Sequence, residues 1–416
     1  MRDDGSGKNE TARWVATIDR SRQAVTAKPG SIDVILTFSP WDTWRDARLR
    51  EFCRPPDQAY RSLLASDRVR RLLVVDPWRS GPIDLVRRMQ GRRAQFPVSD
   101  VASHVRPLGV RRRDPAVRAA LERRYRRYGR RLRREAGRAG LDRPSLVTFN
   151  PFVAAFADLS WCEHVVYYGR DDWTAFARNQ KLKASLRAAQ DAMRSNGTII
   201  CAVSRELADR LAGAGGGVVI PNAIDNATWS VSRPAPSSVS ALPRPLGVYA
   251  GTVDDRLDVD AVRSLTRSGV LRSVAIIGPV ADDAIADQLA GEPGVAVLGA
   301  MAQHELAGAL QSADVCLLTH AVTPLTRAMS PLKLYEYLAS GAPVVTADLP
   351  PVRGVDDRVI VVTDDDYAGA VATALSLGRL SEVERQAMVH NHSWRRRHET
   401  LVDLLANGAV AESQHQ

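Results

Sequence analysis

Cysteine is scarce in this chain. Only Cys53, Cys162, Cys201 and Cys316 occur in 416 residues, scattered, with no Cys-x-x-Cys pair and no Cys/His cluster. That pattern indicates neither a disulfide framework nor a zinc site, and it makes a reducing cytoplasm the expected compartment. No run of 18 or more apolar residues appears, so no spanning helix is expected. The first thirty residues are polar and mixed in charge, without the apolar core of a secretory signal. Residues 1–30 are expected to form a flexible tail.

What is present is an ordinary soluble composition with an uneven charge. Net charge is +10. Between Asp84 and Arg143, nineteen arginines face six carboxylates, a local +13 that leaves about −3 elsewhere. The basicity therefore belongs to one insert-like region, 84–143, and speaks about partners rather than fold. Within it Val117, Leu121, Tyr125, Tyr128 and Leu132 recur at helical spacing, a tyrosine-bearing apolar stripe on a strongly basic helix. Three readings stand: contact with an anionic bilayer surface, packing on the domain with a solvated basic face, and nucleic-acid binding. No nucleic-acid motif accompanies the charge, so no nucleic-acid partner is expected. Arg123, Arg124 and Arg127 are the residues assigned to that membrane side.

A chain of this length suits two domains of roughly 200 residues. Short apolar runs such as Ile32–Ser39, Arg71–Pro77, His164–Tyr168, Leu246–Ala250 and Val359–Asp364 alternate with helical stretches. That alternation predicts α/β domains built on buried parallel sheets. The Pro- and Ser-rich stretch 233–245 reads as a linker. It separates a first domain over 31–232 from a second over 246–380, with C-terminal helices over 381–416.

The most informative stretch is Ser330–Ala347, SPLKLYEYLASGAPVVTA. Ser330 is expected to cap a helix with Pro331 at its first position. Leu332, Tyr335, Leu338 and Ala339 form its apolar face, and Gly341 and Pro343 stop it. Lys333 then lies in the first turn, where free amides favour an anion, and Glu336 lies one turn on, on the same side. A cation there suits a diphosphate, and the carboxylate suits sugar hydroxyls; a plain Lys–Glu surface pair is the bland alternative.

This stretch resembles the C-terminal signature of family 4 (group 1) glycosyltransferases, whose Pro, Lys, Tyr, Glu, Gly and Pro-Val-Val all match in order. The resemblance implies two Rossmann-like domains facing across a cleft, the GT-B type. It implies a nucleotide-sugar donor bound by the second domain, with Glu336 on the ribose hydroxyls. The strand–glycine turn at Leu246–Arg256 is similar to the family's diphosphate turn, which makes Gly251 and Arg256 donor-binding candidates, although Thr252 stands where the family has arginine. The loop AVTPLTRAMS leads into Ser330 and supplies Thr326, Arg327 and Ser330 as further donor contacts. The family's second glutamate, eight residues before Glu336, is here Ala328. The likeness is closest from Leu246 to Val362 and fainter towards the N-terminus.

In the first domain, YYGRDDWTAF resembles a recurrent segment of these enzymes. Asp171 and Asp172 follow a strand end, where open α/β sheets place ligands. Two roles are open for them: a catalytic base on the acceptor hydroxyl, or a helix cap at Asp172. Arg54, Pro55 and Asp57 fit an acceptor-side loop, with Trp41 and Trp44 either stacking on a sugar or sealing the loop; Arg54 and Trp44 are taken as acceptor-side candidates. The resemblance implies a glycosyltransferase acting on a glycan, lipid-linked saccharide or other hydroxyl acceptor. If the basic helix lies on a bilayer, a lipid-linked or cell-envelope acceptor handled peripherally at the inner face of the plasma membrane is expected. Lys333 and Arg256 would neutralise the leaving diphosphate, so neither cofactor nor metal is expected. A nucleotide-sugar epimerase and a catalytically degenerate membrane- or polyanion-binding protein are the alternatives.

Overall fold

The computed structural model describes residues 30–409 apart from 51, 81–95, 98, 110–112, 324–325 and 328–329. The tail 1–29, much of the start of the Arg-rich insert, and Ala328 therefore lie outside the described residues. The chain divides into two compact units, Met1–Ile220 with His398–Gln416, and Pro221–Arg397.

The first unit is a seven-stranded sheet in the order β4-β2-β1-β6-β7-β8-β9. Its strands are β1 (Ile32–Thr37), β2 (Val69–Val75), β4 (Ala102–Val105), β6 (Ser145–Thr148), β7 (Val165–Gly169), β8 (Ile199–Ala202) and β9 (Val218–Val219). A separate pair joins β3 (Arg79–Ser80) to β5 (Leu108–Gly109). Every pairing in the large sheet is parallel. Runs such as Val34–Leu36 and Leu72–Val75 are buried because helices cover both faces of a parallel sheet. Strands β3 to β5 have no counterpart in the sequence reading. They are short pieces with little apolar alternation, and β4 lies at the sheet edge, held by its pairing with β2 rather than by its own pattern.

The C-terminal helix Trp394–Asn407 joins this unit from His398 onward. Leu401, Leu404 and Leu405 enter the core beside Val34 and Tyr167. Ser145 Oγ donates to the Leu405 carbonyl at 2.6 Å, and Arg68 pairs with Asp403 at 2.5 Å.

The helix Arg118–Arg138 packs its stripe inward. Leu121, Tyr125, Tyr128 and Leu132 are buried against β-strand and helix residues of the same unit, and Tyr128 Oη donates to the Asp76 carbonyl at 2.9 Å. Val117, read as the first residue of the stripe, stands 67% exposed at the N-cap. The apolar face is thus occupied by the protein's own core, and this helix does not bury it in a bilayer.

The second unit is a six-stranded parallel sheet, order β12-β11-β10-β13-β14-β15. Its strands are β10 (Leu246–Ala250), β11 (Ser273–Ile277), β12 (Val295–Gly299), β13 (Val315–Leu318), β14 (Val344–Thr346) and β15 (Val359–Val361). Residues 233–245 pack on this unit: Val239 is buried, and Arg233 N donates to Gln311 Oε1 at 2.8 Å. Both units are Rossmann-like α/β domains. Among the described residues, no helix is long and apolar enough to cross a membrane.

Candidate donor and acceptor sites

In each sheet the strand order reverses once, and open α/β sheets bind ligands outside the carboxyl ends of the strands at that reversal. In the second unit it falls between β10 and β13, in the first between β1 and β6. The sequence candidates can be sorted by those two places.

In the second unit the turn after β10 is as tight as glycine allows. A Cβ on Gly278, after β11, would lie 1.8 Å from the Gly251 carbonyl oxygen, and a Cβ on Gly251 would lie 2.6 Å from the Tyr249 hydroxyl. Beside that turn sits the helix Leu332–Ser340, closed by Gly341 in the left-handed conformation at φ 81°. Its placement has a specific cause. Strand β13 pairs with β10 only at Gly247 and Val248, so the ladder stops short of Ala250. The Tyr337 hydroxyl takes the missing place, accepting from Ala250 N at 2.8 Å and donating to Ala250 O at 3.2 Å. This ties the helix to the strand end next to Gly251.

The helix start differs from the sequence expectation. Pro331 is the N-cap and Leu332 the first helical residue. Ser330 caps nothing; its carbonyl accepts from Asn222 Nδ2 at 2.7 Å and its hydroxyl from Asn222 N at 3.4 Å. Burial also extends beyond the expected face, since every residue from Leu334 to Ser340 is buried and Leu332 only half so. Lys333 and Glu336 do meet, Nζ to Oε2 at 2.8 Å, with Glu336 the more enclosed.

Arg256 is held by its neighbour. Its Nη2 and Nε lie 2.6 and 2.9 Å from Asp254, and this carboxylate raises its pKa. Against the upward pull of burial, the Arg256 hydrogen bonds hold the Asp254 carboxyl below its ordinary value. His320, just past β13, is buried and brought down to about 4 by burial and then by the Arg256 charge. It is neutral, with Nε2 3.5 Å from the Tyr249 hydroxyl. Thr326 is not open to a ligand: its hydroxyl donates to the Ala321 carbonyl and accepts from Thr323 N, both at 2.8 Å, bracing the loop from within. Arg327 is exposed and its charge acts on Asp348.

At the reversal of the first unit, the loops after β1 and β7 meet over β6. Asp42 accepts from Ser39 Oγ at 2.7 Å and pairs with Arg50 at 3.0 Å, Arg54 at 3.7 Å and Arg170 at 3.8 Å. Burial raises its pKa, and the Ser39 hydrogen bond with those three guanidiniums more than offsets that. Arg50 clamps Asp57 with two bonds of 2.6 Å.

Two expectations are corrected here, for Trp44 and Arg124, and Asp172 makes the local capping contacts that stood as one of its two roles. Trp44 is fully buried, packed on Phe52, Phe96 and His104, with its backbone N–H on Asp76; it is core, because the helix Trp44–Leu49 that follows Thr43 turns its ring inward. Asp172 is a turn brace, since Oδ1 accepts from Thr174 N at 2.9 Å and Oγ1 at 2.6 Å while Oδ2 pairs with Arg210 at 3.1 Å. Arg124 is committed to Asp114 at 3.0 Å and lies over Trp78. Asp171 lies 3.3 Å from Arg170, and Arg123 and Arg127 stand exposed. Tyr337, Asp42, Arg170 and His320 were not singled out as site residues by sequence. The Tyr-Glu-Tyr alternation offered a hint for Tyr337, but only the incomplete β10–β13 ladder gives its hydroxyl a purpose.

Residues 256–377 match the family model described as Glycosyl transferases group 1. No curated protein matches the chain by sequence. Among solved structures, one described as trehalose-6-phosphate from E. coli bound with UDP-2-fluoro glucose is 12% identical, TM-score 0.59, over 90% of this chain and 99% of that one. Anabaena HepE in complex with UDP and glucose gives 14% and 0.55 over 90% and 100%. AviGT4, a glycosyltransferase involved in avilamycin A biosynthesis, gives 16% and 0.53 over 91% and 99%. The chain thus has the two-Rossmann-domain fold of these structures, and its second unit carries a segment that matches the group 1 glycosyl transferases.

Proposed function

We propose that the protein is a glycosyltransferase that moves a sugar from a nucleotide-diphosphate donor to a hydroxyl acceptor. One observation carries the reading: Tyr337 fastens the Lys333–Glu336 helix beside the Gly251 turn at the strand reversal. There an anion meets a close backbone approach and a cation, and a carboxylate waits one turn away for ribose hydroxyls. Donor binding exchanges the Lys333–Glu336 pair for Lys333–phosphate and Glu336–hydroxyl contacts, which keeps both groups satisfied. Arg256 and Lys333 then stabilise the charge that grows on the departing diphosphate, the main electrostatic task of this chemistry. The nucleotide sugar is the substrate, and the reading calls on no cofactor or metal. With Asp172 committed to its turn, Asp171 is the remaining acceptor-side base candidate, and Arg54 the acceptor-side cation.

The acceptor in this proposal is a glycan or lipid-linked saccharide of the cell envelope, handled at the inner face of the plasma membrane. A ridge on the helix Arg118–Arg138 favours it. Arg123, Arg127, Arg130 and Arg134 are exposed and have no ion-pair partner among the described residues. At ~100° per residue they fall within roughly 60° of one another, over about 16 Å, on the side opposite the buried stripe. Such a row suits a flat anionic surface, by charge alone. Flotation with vesicles containing anionic lipid should carry the protein, and reversal of these four arginines to Glu should leave it at the bottom; equal flotation of the variant would remove the membrane reading.

The transferase reading is tested by calorimetric titration with UDP, GDP, ADP and dTDP, followed by product analysis with the matching nucleotide sugar. Release of free nucleoside diphosphate with glycosylated acceptor supports it. Conversion of the nucleotide sugar to an epimer would overturn it, as would folded protein that binds none of the four.

A further inference from the structure

We infer that the loops after β1 and β7 form a carbohydrate subsite that takes a neutral pyranose, stacked on Trp41 and hydrogen-bonded by Asp42, Arg54 and Arg170. Among the described residues, Trp41 is the one aromatic among the large exposed hydrophobic side chains, at 40% exposure. It is braced rather than loose: its ring centroid lies 4.8 Å from that of Trp173, which is 4% exposed. Trp173 is in turn covered by the Arg170 guanidinium at 5.5 Å. An exposed indole with a rigid backing offers an apolar face without an ordering cost, and the C–H face of a pyranose is the partner such a face suits.

The polar rim defines the chemical class. Arg50, Arg54 and Arg170 stand against Asp42, Asp57 and Asp171, three charges of each sign, joined by pairs of 2.6 to 3.8 Å. The cluster is therefore neutral overall and has no excess charge to spend on an anionic sugar. It does present planar donors and a carboxylate acceptor side by side, the arrangement that hydrogen-bonds vicinal hydroxyls. Arg54 keeps 52% of its side chain in solvent and so can turn towards a ligand. The place agrees, since these loops lie at the strand reversal of the first unit.

The inference rests on the transferase reading for its biological meaning, where it is the acceptor subsite, but carbohydrate binding is testable by itself. Saturation-transfer NMR on the full chain would use methyl glycosides of glucose, galactose and mannose, with glucuronic acid and glucose 6-phosphate as charged counterparts. The expected result is saturation of one ring face of a neutral glycoside, lost in Trp41→Ala and retained in Trp41→Phe. Affinity for whichever of UDP, GDP, ADP and dTDP the titration selects should not change on the same samples, and circular dichroism shows that the variants are folded. Binding that survives Trp41→Ala, binding of charged sugars only, or no saturation from any probe would each overturn the inference. Sugar binding that depends on Trp41 in a protein blind to every nucleotide would instead overturn the transferase reading and leave this subsite standing.

Discussion

Removing a single oxygen from Tyr337 tests the link between fold and donor site. In Tyr337→Phe the ring still fills its fully buried place, but Ala250 loses the acceptor at 2.8 Å for its N–H and the donor at 3.2 Å for its carbonyl. Neither group has a strand to turn to, because β13 pairs with β10 only at Gly247 and Val248. Leaving a buried backbone group unsatisfied costs about 1–3 kcal/mol. In a unit of this size each kcal/mol lowers Tm by about 2–4 °C. Thermal unfolding followed by circular dichroism should therefore show a fall of several degrees. Because the lost bonds hold the helix of Lys333 and Glu336 beside Gly251, nucleotide affinity should fall with it. A variant as stable as the parent would show that the hydroxyl is not what fastens the helix. A destabilised variant with unchanged nucleotide affinity would refute the claim that this fastening positions the site.

Glu336→Ala should weaken binding of the nucleotide about tenfold, the equivalent of ~1.4 kcal/mol. Its effect on Tm should be small, since the partly exposed Lys333 pair contributes at most about 1 kcal/mol; unchanged calorimetric affinity would remove the ribose assignment. Asp172→Asn should keep turnover within a few-fold while lowering Tm, and a stable but inactive variant would return Asp172 to the role of base. Acid should destabilise the fold through its buried histidines. His320 is held near 4 against an ordinary 6.5, so the unfolded chain binds more protons between those values. The stabilisation is whole above about pH 6.5 and is lost as pH falls towards 4. His320→Gln should therefore lose less Tm than the parent between pH 7 and pH 5, and parallel losses would contradict it.

Much of the fold was legible because burial in a parallel sheet leaves a local mark. The run Leu246–Ala250 became a strand over those residues, buried at every position, since a strand covered on both faces must be apolar at successive positions; Val295–Gly299 became the half-buried edge strand. The Ser330–Ala347 stretch declared a helix, a glycine stop and a strand for equally local reasons. Less was legible where one residue type serves two purposes. Trp41 and Trp44 lie three residues apart in a loop and helix start, yet one is half in solvent and the other wholly enclosed.

What the chain's residue order determined by itself was the α/β alternation, the Lys333–Glu336 spacing, the Gly251 turn and the concentration of arginine over 84–143. All of these depend on neighbours within a few residues. Tertiary structure alone decided which carboxylates were free: Asp172 was claimed by Arg210, thirty-eight residues on, and Arg124 by Asp114. It decided that the tyrosine stripe faces the protein's own core, and that a ladder ending at Val248 leaves Ala250 for Tyr337 to complete. The reason is physical: a polar group takes whichever hydrogen-bond partner the packed fold brings within about 3 Å, an apolar one whatever packs within about 4 Å, and the partners that decided these cases lie outside the reach of a local sequence pattern.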